Sequence, residues 1–119
     1  MLREPPAIEG YGGGGFRVGG DWFAGSVLIL DDAARLWPVG SLADLTLEAL
    51  APVIAQGLAT VEFVLLGAGP VTAPPPKGVR QALQAEGMGL EVMDTATACR
   101  VYNMLAQEGR RIAAALIAI

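Results

Sequence analysis

Val61–Gly69 reads VEFVLLGAG. An apolar run this continuous describes a strand buried on both faces, as in a parallel sheet, rather than one with a wet side. The run ends in Gly67-Ala68-Gly69. A proline-broken loop, PVTAPPP (Pro70–Pro76), then separates the glycines from a helical pattern in which Val79, Ala82 and Leu83 form the apolar stripe and Gly87 the stop. Another short strand, LEVM, follows at Leu90–Met93. Asp94 and Thr95 offer capping oxygens for a helix over 96–108, closed by Gly109. RIAAALIAI at the end of the chain fits helix or strand by periodicity, with a slight lean to a central strand.

Upstream the pattern is different. YGGGGF (Tyr11–Phe16) is too rich in glycine for a helix interior. Phe16-Arg17-Val18 alternates, Gly19-Gly20-Asp21 supplies a turn, and Trp22–Leu30 reads as the long second arm of a β-hairpin, with Gly25 marking a bulge or a close backbone approach. Asp31-Asp32 make the next turn, and Arg35–Val39 reads as a short edge strand, the position where Pro38 is tolerated. Leu47, Leu50, Ile54 and Leu58 recur at helical spacing, with Asp44 or Thr46 as N-cap and Gly57 as stop. Pro52 requires that helix to start later than Thr46 or to bend. The fold class expected is α/β in three layers, an N-terminal hairpin layer against a mixed central sheet flanked by helices, with 1–119 as a single domain.

Composition narrows the function. The chain has 119 residues, 53% of them hydrophobic and 17% charged, and a mean hydropathy of +0.48. Its longest charge-free stretches, Ala49–Val61 and Phe63–Pro76, are too short or too proline-rich for a transmembrane segment. A net charge of −4 gives no basic face for nucleic acid. Histidine is absent and Cys99 is the only cysteine, which removes the usual general base, thiolate metal sites and internal disulfides. No secretory leader is visible, so a cytoplasmic setting is expected. No metal and no cofactor are expected.

A glycine turn after a buried strand is where ligands of α/β sheets sit, and two glycines let backbone N–H groups face an anion. The stretch lacks the third glycine of a dinucleotide fingerprint and the Gly-Lys-Ser/Thr of a P-loop, and its helix starts behind proline, which carries no N–H. A structural turn is the favoured reading. The alternative is a small-molecule or anion pocket, or a cryptic enzyme, with Gly67, Gly69, Cys99, Asn103 and Arg110 around it. Cys99 reads as a buried small hydrophobe, and Asn103, four residues on and bordered by Tyr102, as an amide pinning the helix to a neighbouring loop. Arg110-Arg111 suit a helix end, with anion or partner recognition as the other reading.

Met93-Asp94-Thr95, Ala98-Cys99-Arg100, Tyr102-Asn103, Glu108-Gly109-Arg110 and the ending Ala113–Ile117 occur in one order and spacing, together with YGGGGFRVGGDWFAGSVLIL (Tyr11–Leu30). In these features nearly the whole chain resembles a domain-of-unknown-function family. That family includes a mitochondrial respiratory complex I assembly factor, an adipogenesis-associated protein and small bacterial relatives. Two positions depart from its pattern, with Ala68 and Val101 standing where the family usually has threonine. The resemblance implies a C-terminal strand antiparallel to its neighbours and brings no catalytic residues. It implies action through protein contacts, assembly of a respiratory complex being the candidate role. The expected partner surface takes in Tyr11, Phe16, Pro70, Pro74 and Pro75. A purely structural subunit of an oligomer is a third reading.

Overall fold

A computed structural model describes residues 4–119; the expectation of no leader falls in part on Met1–Arg3, outside the described residues. Three short strands, β1 (Ile8–Gly12), β2 (Gly15–Val18) and β3 (Asp21–Phe23), form an antiparallel sheet in that order. Five more, β4 (Val27–Leu30), β5 (Ala33–Leu36), β6 (Phe63–Gly67), β7 (Gly89–Met93) and β8 (Ile112–Leu116), form the central sheet, ordered β5-β4-β8-β6-β7. The helices are α1 (Ala51–Gln56), α2 (Val79–Ala85) and α3 (Thr95–Gln107).

The apolar run at Val64–Leu66 is explained by the two faces it serves. Val64 and Leu66 join Leu28, Leu30, Ala113 and Ala115 on the face covered by Val53 of α1 and by Val79 and Leu83 of α2. Leu65 joins Val27, Ile29, Ala114 and Leu116 on the other, covered by Ala98, Cys99 and Tyr102 of α3 and by Ile8, Phe16 and Val18 of the small sheet. The small sheet and α3 therefore share one layer, α1 and α2 form the opposite layer, and the central sheet lies between them. Strands wet on neither side need no polar alternation.

Connections account for the strand directions. From β6 the chain crosses through α2 to β7, then returns through α3 to β8 on the far side of β6. Right-handed crossovers that move in opposite directions must use opposite faces, which separates α2 from α3. Each crossover brings the chain back to the same end of the sheet, so β8 runs parallel to β6, and it is antiparallel only to β4. The expectation that the last strand is antiparallel to its neighbours thus holds on one side and is corrected on the other.

Two further expectations change. The long hairpin arm Trp22–Leu30 is divided: β3 ends at Phe23 and β4 begins at Val27 in a different sheet. Gly25, at φ 145°, turns the chain between layers, and the buried Ser26 secures the crossing by donating to the Val39 carbonyl (2.6 Å) and accepting the Ala118 N–H (2.9 Å). The Leu47–Leu58 helix is cut to α1, preceded by single 3₁₀ turns at Leu42–Asp44 and Glu48–Leu50. Pro52 takes its first turn, so the late start is the one of the two options that the chain adopts. Thr46 Oγ1 accepts the Ala49 N–H at 3.3 Å, ahead of the helix rather than at its cap. Among the described residues no helix is long and apolar enough to cross a membrane.

Candidate functional site

The Gly67-Ala68-Gly69 turn leaves the central strand beside the start of α3. Its backbone donors are already engaged. The Ala68 N–H donates to the Met93 carbonyl (2.8 Å) and the Gly69 N–H to Thr95 Oγ1 (2.9 Å). Thr95, fully buried, also donates its hydroxyl to the Ile117 carbonyl (2.7 Å) and its N–H to the Gly69 carbonyl (2.8 Å). The Ile117 N–H closes the ring on the Gly67 carbonyl (3.0 Å). One hydroxyl thereby ties the exits of β6 and β8 to the first turn of α3. A Cβ on Gly67 would sit 3.0 Å from Thr95 Oγ1 and 3.1 Å from Leu116 Cδ2, so glycine is the residue that permits this close approach. The turn presents neither the Ala68 nor the Gly69 N–H to an anion.

Of the two residues expected to offer capping oxygens, Asp94 alone caps α3, accepting from the Thr97 N–H (3.0 Å) and hydroxyl (2.7 Å), and Thr95 serves the turn instead. Those bonds, the hydroxyl one first, hold the Asp94 carboxyl below its usual range. Two adjacent capping residues where one suffices were the available signal.

The other candidates have separate tasks. Cys99 packs in the core against α3's neighbours, where burial pushes its thiol up to about 12. It is a protonated core residue at physiological pH. Asn103 accepts the Ile8 N–H (2.8 Å) and donates to the Ile8 carbonyl (2.9 Å), acting toward β1 as a neighbouring strand would, and Tyr102 donates its hydroxyl to the Pro6 carbonyl (2.9 Å). The expected loop partner of Asn103 is a strand. Arg110 lies at the opposite end of the sheet from Gly67, since Phe63 pairs with Ile112 and Gly67 with Leu116. That is about 13 Å along the strand. Its Nε donates to Glu62 Oε2 (3.1 Å) and its guanidinium stands 5.6 Å from the Phe63 ring centre. The Arg111 N–H (3.0 Å), with Arg110 second, holds the Glu62 carboxyl below its ordinary value. Gly67, Gly69, Cys99, Asn103 and Arg110 do not converge on one pocket.

A surface pocket of about 170 Å³ opens at the Arg111 end instead, lined by Asp31, Asp32, Ala59, Thr60, Arg111 and Ile112. Asp31 (φ 51°) and Asp32 (φ 62°) form its lip in the β4–β5 turn, a conformation that aspartate tolerates better than most residues. Arg111 donates Nη1 to the Ala59 carbonyl (2.9 Å). Among the described residues no group of three or more His, Cys, Asp or Glu is placed to hold a metal.

Of the expected partner contacts, Tyr11 is 41% exposed, Pro70 and Pro74 are exposed, and Pro75 is half-buried. Phe16 is corrected: it is fully buried, because it shares a face of the small sheet with Ile8 and Val18, against the central sheet and α3. The opposite face carries Trp22, 51% exposed, which pairs across from Arg17 and lays its ring over Gly15. A Cβ there would come 2.6 Å from the indole. Trp22 lies outside the expected partner surface because the apolar arm Trp22–Leu30 carries no signal that separates its outward-facing residue from its core-facing ones.

Residues 8–117 match the family model described as protein of unknown function (DUF498/DUF598). An uncharacterized protein of Rhodobacter capsulatus is 42% identical over 111 residues, covering 92% of this chain and 82% of that protein. NADH dehydrogenase [ubiquinone] 1 alpha subcomplex assembly factor 3 of Bos taurus is 35% identical over 120 residues, covering 98% of this chain, which spans only 65% of that protein's length. Among solved structures, a protein of Bordetella parapertussis superposes with a TM-score of 0.86 at 31% identity, covering 100% of both chains.

Proposed function

The chain belongs to the family described as protein of unknown function (DUF498/DUF598), and from that membership we propose that it is a non-catalytic, protein-binding domain that helps assemble a respiratory NADH dehydrogenase. The observation that carries this reading is the 35% identity to the bovine assembly factor, sustained along 98% of the chain. The disposition of side chains supports it. The polar groups that could serve chemistry, Thr95, Asn103, Tyr102 and Ser26, are bonded to the protein's own backbone. Large apolar side chains, Trp22 and Tyr11 among them, meet solvent instead. Aromatic residues of this kind anchor protein interfaces. The contact surface we assign combines Trp22 on the outer face of the small sheet and Tyr11 on its edge strand β1 with the Pro70–Pro75 loop. Residues 1–119 act in this reading as one domain, in the cytoplasm.

Affinity capture of the tagged chain from gently solubilised host membranes tests the proposal. A NADH dehydrogenase subunit enriched over a tag-only control, and reduced by Trp22→Ala with an unchanged melting temperature, is the expected outcome. Recovery of background proteins alone, in repeated trials, would sink it.

A further inference from the structure

The pocket beside Arg111 gathers groups of both charges around a small open space, and the fold makes little use of them. The Asp31 carboxylate forms no hydrogen bond or ion pair among the described residues. Arg111 donates Nη1 to the Ala59 carbonyl, and the rest of its guanidinium has no partner among the described residues. Its acidic neighbour Glu62 is paired with Arg110 instead (3.1 Å). The hydroxyl of the half-buried Thr60 is likewise unbonded among the described residues. Asp32 adds a second carboxylate to the lining, and Ala59 and the buried Ile112 supply its apolar part.

Carboxylates and a guanidinium that share a lining, yet form no ion pair with one another, sort ligands by charge. A lone anion drawn to Arg111 would be repelled by Asp31 and Asp32, and a lone cation drawn to the aspartates would be repelled by Arg111. A ligand that carries both charges gains from both kinds of group. Volume limits its size. About 170 Å³ is well below the ~300 Å³ at which pockets for drug-sized ligands begin, and equals the liquid volume of about six waters.

We propose that this pocket binds a small free α-amino acid, its ammonium on Asp31, its carboxylate on the remaining N–H groups of Arg111, and its α-carbon substituent against Ala59 and Ile112. Glycine, alanine and serine have the right size. The guanidinium fork matches a carboxylate, and Thr60 Oγ1 offers it a further hydroxyl donor. Asp31 and Arg111 are exposed, so salt screens both contacts and keeps the affinity modest. The site goes beyond the protein-binding reading and stands independently of it.

The test is titration of the isotope-labelled full chain, in low salt, with glycine, alanine and serine, followed by amide NMR. Saturating shifts centred on Asp31, Asp32, Ala59, Thr60, Arg111 and Ile112 are expected, with a Kd of about 1 mM for the best of the three. Methylammonium and acetate each carry one of the ligand's two charges, so each should bind at least about tenfold more weakly. Asp31→Asn removes the charge that holds the ammonium and keeps a residue that tolerates the same positive φ. It should lower the affinity for the amino acid by about tenfold at an unchanged melting temperature, and leave acetate binding no weaker. No saturation by about 20 mM with any of the three, shifts centred elsewhere, acetate or methylammonium binding as tightly as glycine, or an unchanged affinity in Asp31→Asn would each overturn the proposal.

Discussion

Removing the hydroxyl of Thr95 leaves the Gly69 N–H and the Ile117 carbonyl, both at the inner end of the sheet, without their partner. An unsatisfied buried polar group costs about 1–3 kcal/mol. Thr95→Val is therefore expected to lower unfolding stability by roughly 2–5 kcal/mol, with Thr95→Ser recovering most of it, measured by urea denaturation. Charge at single residues gives a second expectation, with opposite signs at the two ends of the pH scale. The Cys99 thiol is raised from 9.0 to about 12, so the stability it contributes is complete below 9 and declines as pH rises toward 12. Glu62 and Asp94 are lowered from 4.5 and 3.8, so theirs is present above those values and lost as pH falls through the lowered ones. Melting temperature against pH should thus fall at both extremes, and Cys99→Ala should flatten the alkaline limb, whatever its uniform cost. An alkaline limb identical in both proteins would contradict the assignment. At this scale the sequence disclosed Cys99 as core and Asp94 as a cap. It could not disclose the Thr95 bridge, because a hydroxyl's long-range partners leave no local pattern.

Elements meet most closely at β8. Ala113, Ala114 and Ala115 are all fully buried, alternating between the two faces, and their small size lets helices and small sheet approach a strand that has neighbours on both sides. Ala114→Leu is expected to cost about 1–3 kcal/mol by overpacking, or more because backbone lies on every side. The small sheet is held differently, through the Asn103 amide at Ile8 and a bond from the Gly14 N–H to the Ile119 carbonyl (2.8 Å). Asn103→Leu should release β1 locally, and the readout is amide exchange: faster at Ile8 while β6 and β8 keep their protection. Equal loss across all strands would mean that the amide supports the whole fold rather than this layer. Strands β6 and β7 and helices α2 and α3 were legible because an apolar run or a helical stripe between glycines is a local pattern. The split at Gly25 was not, since Trp22–Leu30 satisfies strand preferences throughout and only tertiary pairing assigns its halves to different sheets. The helical spacing from Leu47 to Leu58 extends beyond α1 at both ends, because leucine spacing persists through the 3₁₀ turn before Pro52 and past the Gly57 stop.

Taken whole, the molecule ties Ser26, Thr95, Tyr102 and Asn103 to its own backbone and shows solvent Tyr11, Trp22, Pro70 and Pro74. The candidate pocket at Gly67 looked reasonable in sequence because strand, glycines and helix follow one another; the ring of bonds through Thr95 occupies that space instead. The pocket at Asp31, Asp32 and Arg111 joins residues 80 positions apart, a convergence that no motif encodes. The proposed role in assembly rests on identity to a protein named as an NADH dehydrogenase assembly factor. The direct measurement is to delete the gene in its host and resolve membrane complexes on a native gel stained for NADH dehydrogenase activity. The account predicts loss of the full-size complex with accumulation of subassemblies, restored by the parent gene and not by the Trp22→Ala variant. A full-size complex at parental level in the deletion strain would contradict it.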